Sequence, residues 1–230
     1  MLIQQFLEDL VIFHLINRNQ IIFSNYLLLL YLGNTPAIID ETADILNAVS
    51  SIILSKTFDN GVICASEQAV IVMDSIYEQV KEEFIKRGTY FLKDHEEFSS
   101  IRSLLFPNGR INPEMAGKSV AYIAEKVGIK VPDECRLIVA EIDSIGPSEV
   151  LSCEKLFPVL SMYKASNFEE AVSIAEGLIE FAGKGHTSCL YTNPQNKKNI
   201  KYFQNRINTV RMLINSPCNL IFFYQSYLFK

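Results

Sequence analysis

Glycine and proline are missing from both ends of this 230-residue chain: all ten Gly and all eight Pro fall between Gly33 and Pro217. Charge is scarce there too. Residues 1–32 carry only Glu8, Asp9 and Arg18, and residues 218–230 carry only Lys230. Ends without turn punctuation and nearly without charge read as different material from the middle. A long apolar run is also lacking. The most apolar window, Ile21–Leu32, spans about 12 residues, whereas a bilayer-crossing helix needs ~20. Extending it backwards brings in His14, Asn17, Arg18, Asn19 and Gln20, which are costly in lipid. The acidic start MLIQQFLEDL lacks the basic opening of a signal peptide. Together these argue against a membrane segment.

Basic excess is absent as well. A net charge of −5 argues against nucleic acid as a partner, since binding the phosphate backbone needs a basic surface. Five cysteines without regular spacing do not make a disulfide framework and point to a reducing cytoplasm. Neither GxGxxG nor GxxxxGK[ST] occurs, so no phosphate-binding fingerprint is present. His186 and Cys189 are an isolated pair, and His14 and His95 have no partner at ligand spacing. A zinc site needs three or four ligands, so no metal is expected.

What is present is globular: 49% hydrophobic and 20% charged residues. The middle alternates in period. Helical spacing runs over 44–55, 75–87, 97–106, 118–127 and 167–181, and from Pro194 to about Arg206. Short apolar runs at 69–73, 137–142, 159–163, 187–191 and 210–214 have strand length. Gly88 and Gly128 stand where helices should stop, and Asn167 with Glu170 should cap one. Repeated alternation predicts an α/β fold, a mostly parallel sheet with flanking helices.

Three segments could carry chemistry. Cys64 lies in the polar, Gly-containing stretch FDNGVICASEQ (58–68), between a helix and a strand; loops on a rigid sheet give a thiol access. The plain alternative is an inert buried cysteine. His186 lies in GKGHTSC (183–189), where two glycines let backbone approach a ligand and an imidazole can move protons near neutral pH. The alternative is a turn with a histidine at a strand edge. Glu154 opens EKLFP (154–158) and could hold a ligand hydroxyl, or could simply be solvated.

Taken in order, Gly33-Asn34-Thr35-Pro36, FDNGVICASEQ, EKLFP and GKGHTSCLYT resemble the aldehyde dehydrogenase superfamily. The likeness is to its CoA-acylating branch, with the aldehyde dehydrogenase half of the bifunctional aldehyde-alcohol dehydrogenases as the nearest pattern. It covers about Gly33 to Pro217 and implies that family's catalytic domain. By resemblance, Cys64 is the nucleophile, His186 does acid/base work on the thiol steps and Glu154 contacts the nicotinamide ribose. The implied cofactor is NAD, with coenzyme A as co-substrate. The implied reaction oxidises a short-chain aldehyde to acyl-CoA, or the reverse, through a thioester on Cys64. The implied partners are a small aldehyde and CoA, and the implied assembly is a homo-oligomer. Hydrolytic relatives place a glutamate base where this chain has Leu30, which favours thiol transfer over hydrolysis.

The pattern stops at both ends. A cofactor domain should precede Gly33, and more sheet should follow Pro217. The expected organisation is therefore a leader unlike the family (1–32), a catalytic domain (33–217) and a tail unlike the family (218–230). The alternative reading is a truncated, catalytically inactive fragment or an interaction module.

Overall fold

A computed structural model describes residues 33–182 and 186–219. The expected leader, including Leu30 and the window at 21–32, lies outside these residues. So do Gly183–Gly185 and the tail from residue 220. Among the described residues no helix is long and apolar enough to cross a membrane.

Among the described residues seven strands form one sheet: β1 (Pro36–Ile39), β2 (Ala69–Met73), β3 (Thr89–Phe91), β4 (Leu137–Glu141), β5 (Val159–Ala165), β6 (Thr187–Tyr191) and β7 (Arg211–Ile214). Their order across the sheet is β3-β4-β5-β2-β1-β6-β7, and every neighbouring pair is parallel. Six α-helices among the described residues connect them: α1 (Ile45–Thr57), α2 (Tyr77–Lys86), α3 (His95–Leu105), α4 (Val120–Val127), α5 (Phe168–Ala182) and α6 (Lys197–Arg206). The expected α/β class is the observed one.

The periodicities explain the layers. β2 is buried at every residue, as a central parallel strand covered on both faces must be. On β4, Leu137 and Val139 join the cluster that holds α1, α2 and α5, while Ile138 and Ala140 join the cluster built on α3 and α4. That is the period-two alternation of a strand between two layers. Helix starts are fixed by side chains that satisfy free N–H groups. Asp44 accepts from Asn47 N at 3.1 Å, Asp94 from Glu96 N and Glu97 N at 3.0 Å, and Ser119 from Tyr122 N at 3.3 Å. Asn167 accepts from Glu170 N at 2.8 Å, as its sequence position promised. Gly128, at φ +74°, ends α4 in the left-handed region.

Two strands escape the periodicity. β1 follows Asn34-Thr35 and opens on Pro36, at the first strand position, where a missing N–H is tolerated. β3 has only three residues, too few to show a period. The helix expected from Pro194 begins instead at Lys197, because Asn196 accepts from Asn199 N and forms the cap. The stretch 75–87 begins with a short tight turn, Asp74–Ile76, before α2.

At the carboxyl end of β1, Asp40 is fully buried. One carboxylate oxygen accepts from Thr42 N and Oγ1 (2.8 and 2.7 Å). The other accepts from Thr192 Oγ1, Asn196 Nδ2 and Asn199 Nδ2 (2.6, 3.3 and 3.1 Å). This hub joins β1 to the start of α6 across the sheet.

Candidate active site

Cys64, Glu154 and His186 each stand just before a strand: β2, β5 and β6. Because the sheet is parallel, all three lie beyond its amino ends. In open α/β sheets ligands more often bind beyond the carboxyl ends. A groove of about 1200 Å³ lies elsewhere, along the edge strand β3 between α2 and residues 130–136.

The Cys64 loop is shaped by backbone conformation. Asp59 and Asn60 take φ of 48° and 50°, and Gly61 takes +81°. A Cβ on Gly61 would sit 2.3 Å from the Phe157 carbonyl oxygen, so only glycine fits there. The loop therefore packs directly on the Glu154–Pro158 turn. Asn60 Nδ2 donates to Gly117 O at 3.0 Å, and Gly117 N donates to Leu156 O at 3.1 Å.

Beneath the loop lies a buried polar strut. Gln68 Oε1 accepts from Lys56 Nζ at 2.9 Å and from Lys155 N at 2.8 Å. Lys56 Nζ also donates to Lys155 O at 2.8 Å, and Lys155 Nζ donates to Leu151 O and Cys153 O at 2.6 and 2.8 Å. Gln68 N donates to Thr35 O at 2.8 Å. Lys56, Gln68 and Lys155 have no exposed surface. Burial holds both ammonium groups below the usual lysine range, Lys155 at about 7. The strut fixes the segment bearing Glu154 against the segment bearing Cys64.

Glu154 is buried, and neither carboxylate oxygen has a hydrogen-bond partner among the described residues. Burial pushes it up to about 7; the Gly33 N–H, Lys56 and Lys155 pull it back. The Gly33 N–H faces the carboxylate without closing a bond of good geometry. Burial also raises the Cys64 thiol, as does the negative Glu154 beside it. The N–H groups of Cys64 and Ala65 and the Arg211 guanidinium oppose that rise. At rest Cys64 is a thiol.

His186 is seated by Gly33: a Cβ there would lie 2.5–2.6 Å from three His186 side-chain atoms. Its Nδ1 is 3.0 Å from Thr187 Oγ1. Arg211 lies directly across from Thr187 in the β6–β7 register and donates to the same oxygen from Nε and Nη2, at 3.0 and 2.7 Å. Burial first, then the Arg211 charge, lowers the His186 pKa, so the ring is neutral at pH 7.

The three expected residues thus converge. Asn34, which carried the motif without a role, proves to be a fastener: its Nδ2 donates to Ser152 O at 2.5 Å and to Leu178 O at 3.2 Å. Arg211, Gln68, Lys56 and Lys155 went unread. For Lys56 a signal existed: it shares the buried face of α1 with Val49 and Ile52. For Arg211 none existed, since its partner is 24 positions away. Cys64, Cys135, Cys153, Cys189 and Cys218 are free thiols. Among the described residues no group of three or more His, Cys, Asp or Glu could hold a metal ion. Leu30 lies outside the described residues.

Residues 24–95 match the aldehyde dehydrogenase family. The fold is shared with an acetylating aldehyde dehydrogenase from Geobacillus thermoglucosidasius at TM-score 0.78 and 39% identity, over 82% of this chain and 41% of that one. Sheet, motifs and identities agree in likening the chain to the aldehyde dehydrogenase family. The chain is 46% identical over 188 residues to the bifunctional aldehyde-alcohol dehydrogenase of Escherichia coli K12, covering 81% of this chain and 21% of that protein. It is 50% identical over 186 residues to the aldehyde-alcohol dehydrogenase of Clostridium acetobutylicum, covering 80% and 22%. The chain thus spans about a fifth of those relatives' length.

Proposed function

We propose that residues 33–217 are the catalytic domain of a CoA-acylating aldehyde dehydrogenase, interconverting a short-chain aldehyde and its acyl-CoA. The observation that carries this is the buried, unpartnered carboxylate of Glu154 beside Cys64. Such a group lacks a ligand hydroxyl, and the ribose diol of NAD supplies two. The residues present therefore fit that cofactor, with Glu154 orienting the ribose. Bound NAD would supply the hydride acceptor.

Cys64 gives its proton to water and its sulfur bonds to the aldehyde carbon, while the carbonyl oxygen takes up the electron pair. The N–H groups of Cys64 and Ala65, which already favour the thiolate, are the donors at hand for that oxygen. After oxidation the acyl group remains on Cys64 as a thioester. The CoA thiol then bonds to the acyl carbon, the bond to Cys64 breaks and the thiol is restored. His186 serves the acyl-transfer step with the CoA thiol. A cytoplasmic setting and homo-oligomeric assembly belong to the same proposal.

The test is NADH formation from acetaldehyde, NAD and CoA, alongside transfer of the acetyl group from acetyl-CoA to the folded chain, followed by intact mass. Acylation that Cys64→Ala abolishes is the expected result. Failure of the folded wild-type chain to acylate at Cys64 would overturn the proposal.

A further inference from the structure

Thr187 Oγ1 sits at a junction of three donors or acceptors and has no exposed surface. A hydroxyl offers one proton and two acceptor sites. Both acceptor sites are taken, because Arg211 Nε and Nη2 each donate to the oxygen, at 3.0 and 2.7 Å. A guanidinium has no acceptor and does not deprotonate in proteins, so these two bonds run one way only. Only the hydroxyl proton is left for the third contact, with His186 Nδ1 at 3.0 Å. A hydrogen on Nδ1 would be a third donor aimed at an oxygen without a free lone pair.

We infer that Arg211 is a positioning residue: through Thr187 it fixes neutral His186 with its proton on Nε2, making the ring a hydrogen-bond donor rather than a proton acceptor. The donor role at the acyl-transfer site rests on the function proposed above; the proton's position does not. The arrangement is built into the sheet, since Thr187 and Arg211 are register partners on β6 and β7. Gly33 closes the other side of the ring, with a virtual Cβ 2.5 Å from His186 Cγ. A flip about Cβ–Cγ would put Cδ2 in the place of Nδ1 and break the Thr187 contact. The consequence for the chemistry is specific. The resting imidazole cannot take the Cys64 proton at Nε2, and it donates to the oxygen of the bound carbonyl or acyl group. It becomes a base there only when the Thr187 hydroxyl turns away.

The proton can be located without any substrate. The full chain is labelled with ¹⁵N-histidine, and ring ¹H–¹⁵N correlations are recorded above the histidine titration, with His186→Gln assigning the signal among the three histidines. The wild-type ring is expected to carry its proton on Nε2 alone. Arg211→Lys keeps the charge but removes one of the paired donors, and Thr187→Val removes the hydroxyl. Each should convert the signal to a mixture of both neutral forms. Thr187→Ser should restore the single form. Circular dichroism checks the fold, and Arg211→Lys, at a half-buried position, decides if Thr187→Val does not fold. A proton on Nδ1 in the wild type, or an Arg211→Lys spectrum unchanged from it, would overturn the inference. A single Nε2–H form in a chain that never acylates would leave the inference standing and remove only the functional reading.

Discussion

Gln68 makes the sharpest stability test. In Gln68→Leu the side chain keeps its approximate volume and loses its oxygen. Lys56 Nζ then keeps only the Lys155 carbonyl, and Lys155 N loses its acceptor. A hydrogen bond to a buried charge contributes about 1.5–3 kcal/mol, and an orphaned buried donor costs about 1–3 kcal/mol. Part of this is offset, because Gln68 Nε2 is itself buried without a partner and leaves with the amide. The net expectation is a loss of about 2–4 kcal/mol, a large share of a stability of roughly 5–15 kcal/mol. Urea unfolding followed by circular dichroism measures it. Lys56→Met removes the buried cation and should cost much less. The double variant should then be more stable than the sum of the two losses allows, by about 1–2 kcal/mol. Additivity within about 0.5 kcal/mol would show that the amide does not hold the ammonium, and the strut would fall as an explanation of how Glu154 is held against the Cys64 loop.

Other expectations follow from the same geometry. Gly33→Ala should displace His186 at a cost of about 1–3 kcal/mol, seen as a moved His186 ring signal; an unmoved signal would refute the close packing. Asp40→Ala strips the acceptor from five hydrogen bonds and should cost about 3–5 kcal/mol, read as a lowered urea midpoint. Glu154 sets one limb of the pH profile. Its folded pKa of about 7 lies above the ordinary 4.5, so the folded chain holds a proton that the unfolded chain has released, and stability falls as pH rises between those values. Lys155, lowered from 10.5 to about 7, acts in the other sense: stability rises between about 7 and 10.5. Urea midpoints against pH should show Glu154→Gln flattening the first limb and keeping the second; a first limb that persists would place its origin elsewhere.

Fold class and chemistry were legible to different depths. Strands buried on two faces announce themselves as apolar runs, which is why AVIVM at β2 could be read. β1 and β3 could not, since four residues that open on a proline and three behind a glycine carry no period. Cys64, Glu154 and His186 could be singled out because each sits in a contiguous motif. What joins them was not. The Thr187–Arg211 contact exists only through β6–β7 register, and the Lys56–Gln68–Lys155 strut only through the packing of three segments. A lysine in an apolar helical face is nonetheless readable as a buried cation in search of an acceptor, and Lys56 is such a case.

The site's placement before four separate strands has a consequence for biosynthesis. Gly33, Cys64, Glu154, His186 and Arg211 are brought together only when a sheet of order β3-β4-β5-β2-β1-β6-β7 has closed, and such long-range pairing is slow to form. Arg211 leaves the ribosome last of the five. A nascent chain paused between His186 and Arg211 holds a cysteine with no guanidinium beside it and a histidine free to carry its proton on either nitrogen. Electrophiles in the cell therefore meet an ordinary thiol during synthesis and the assembled one only after the last strand is in place.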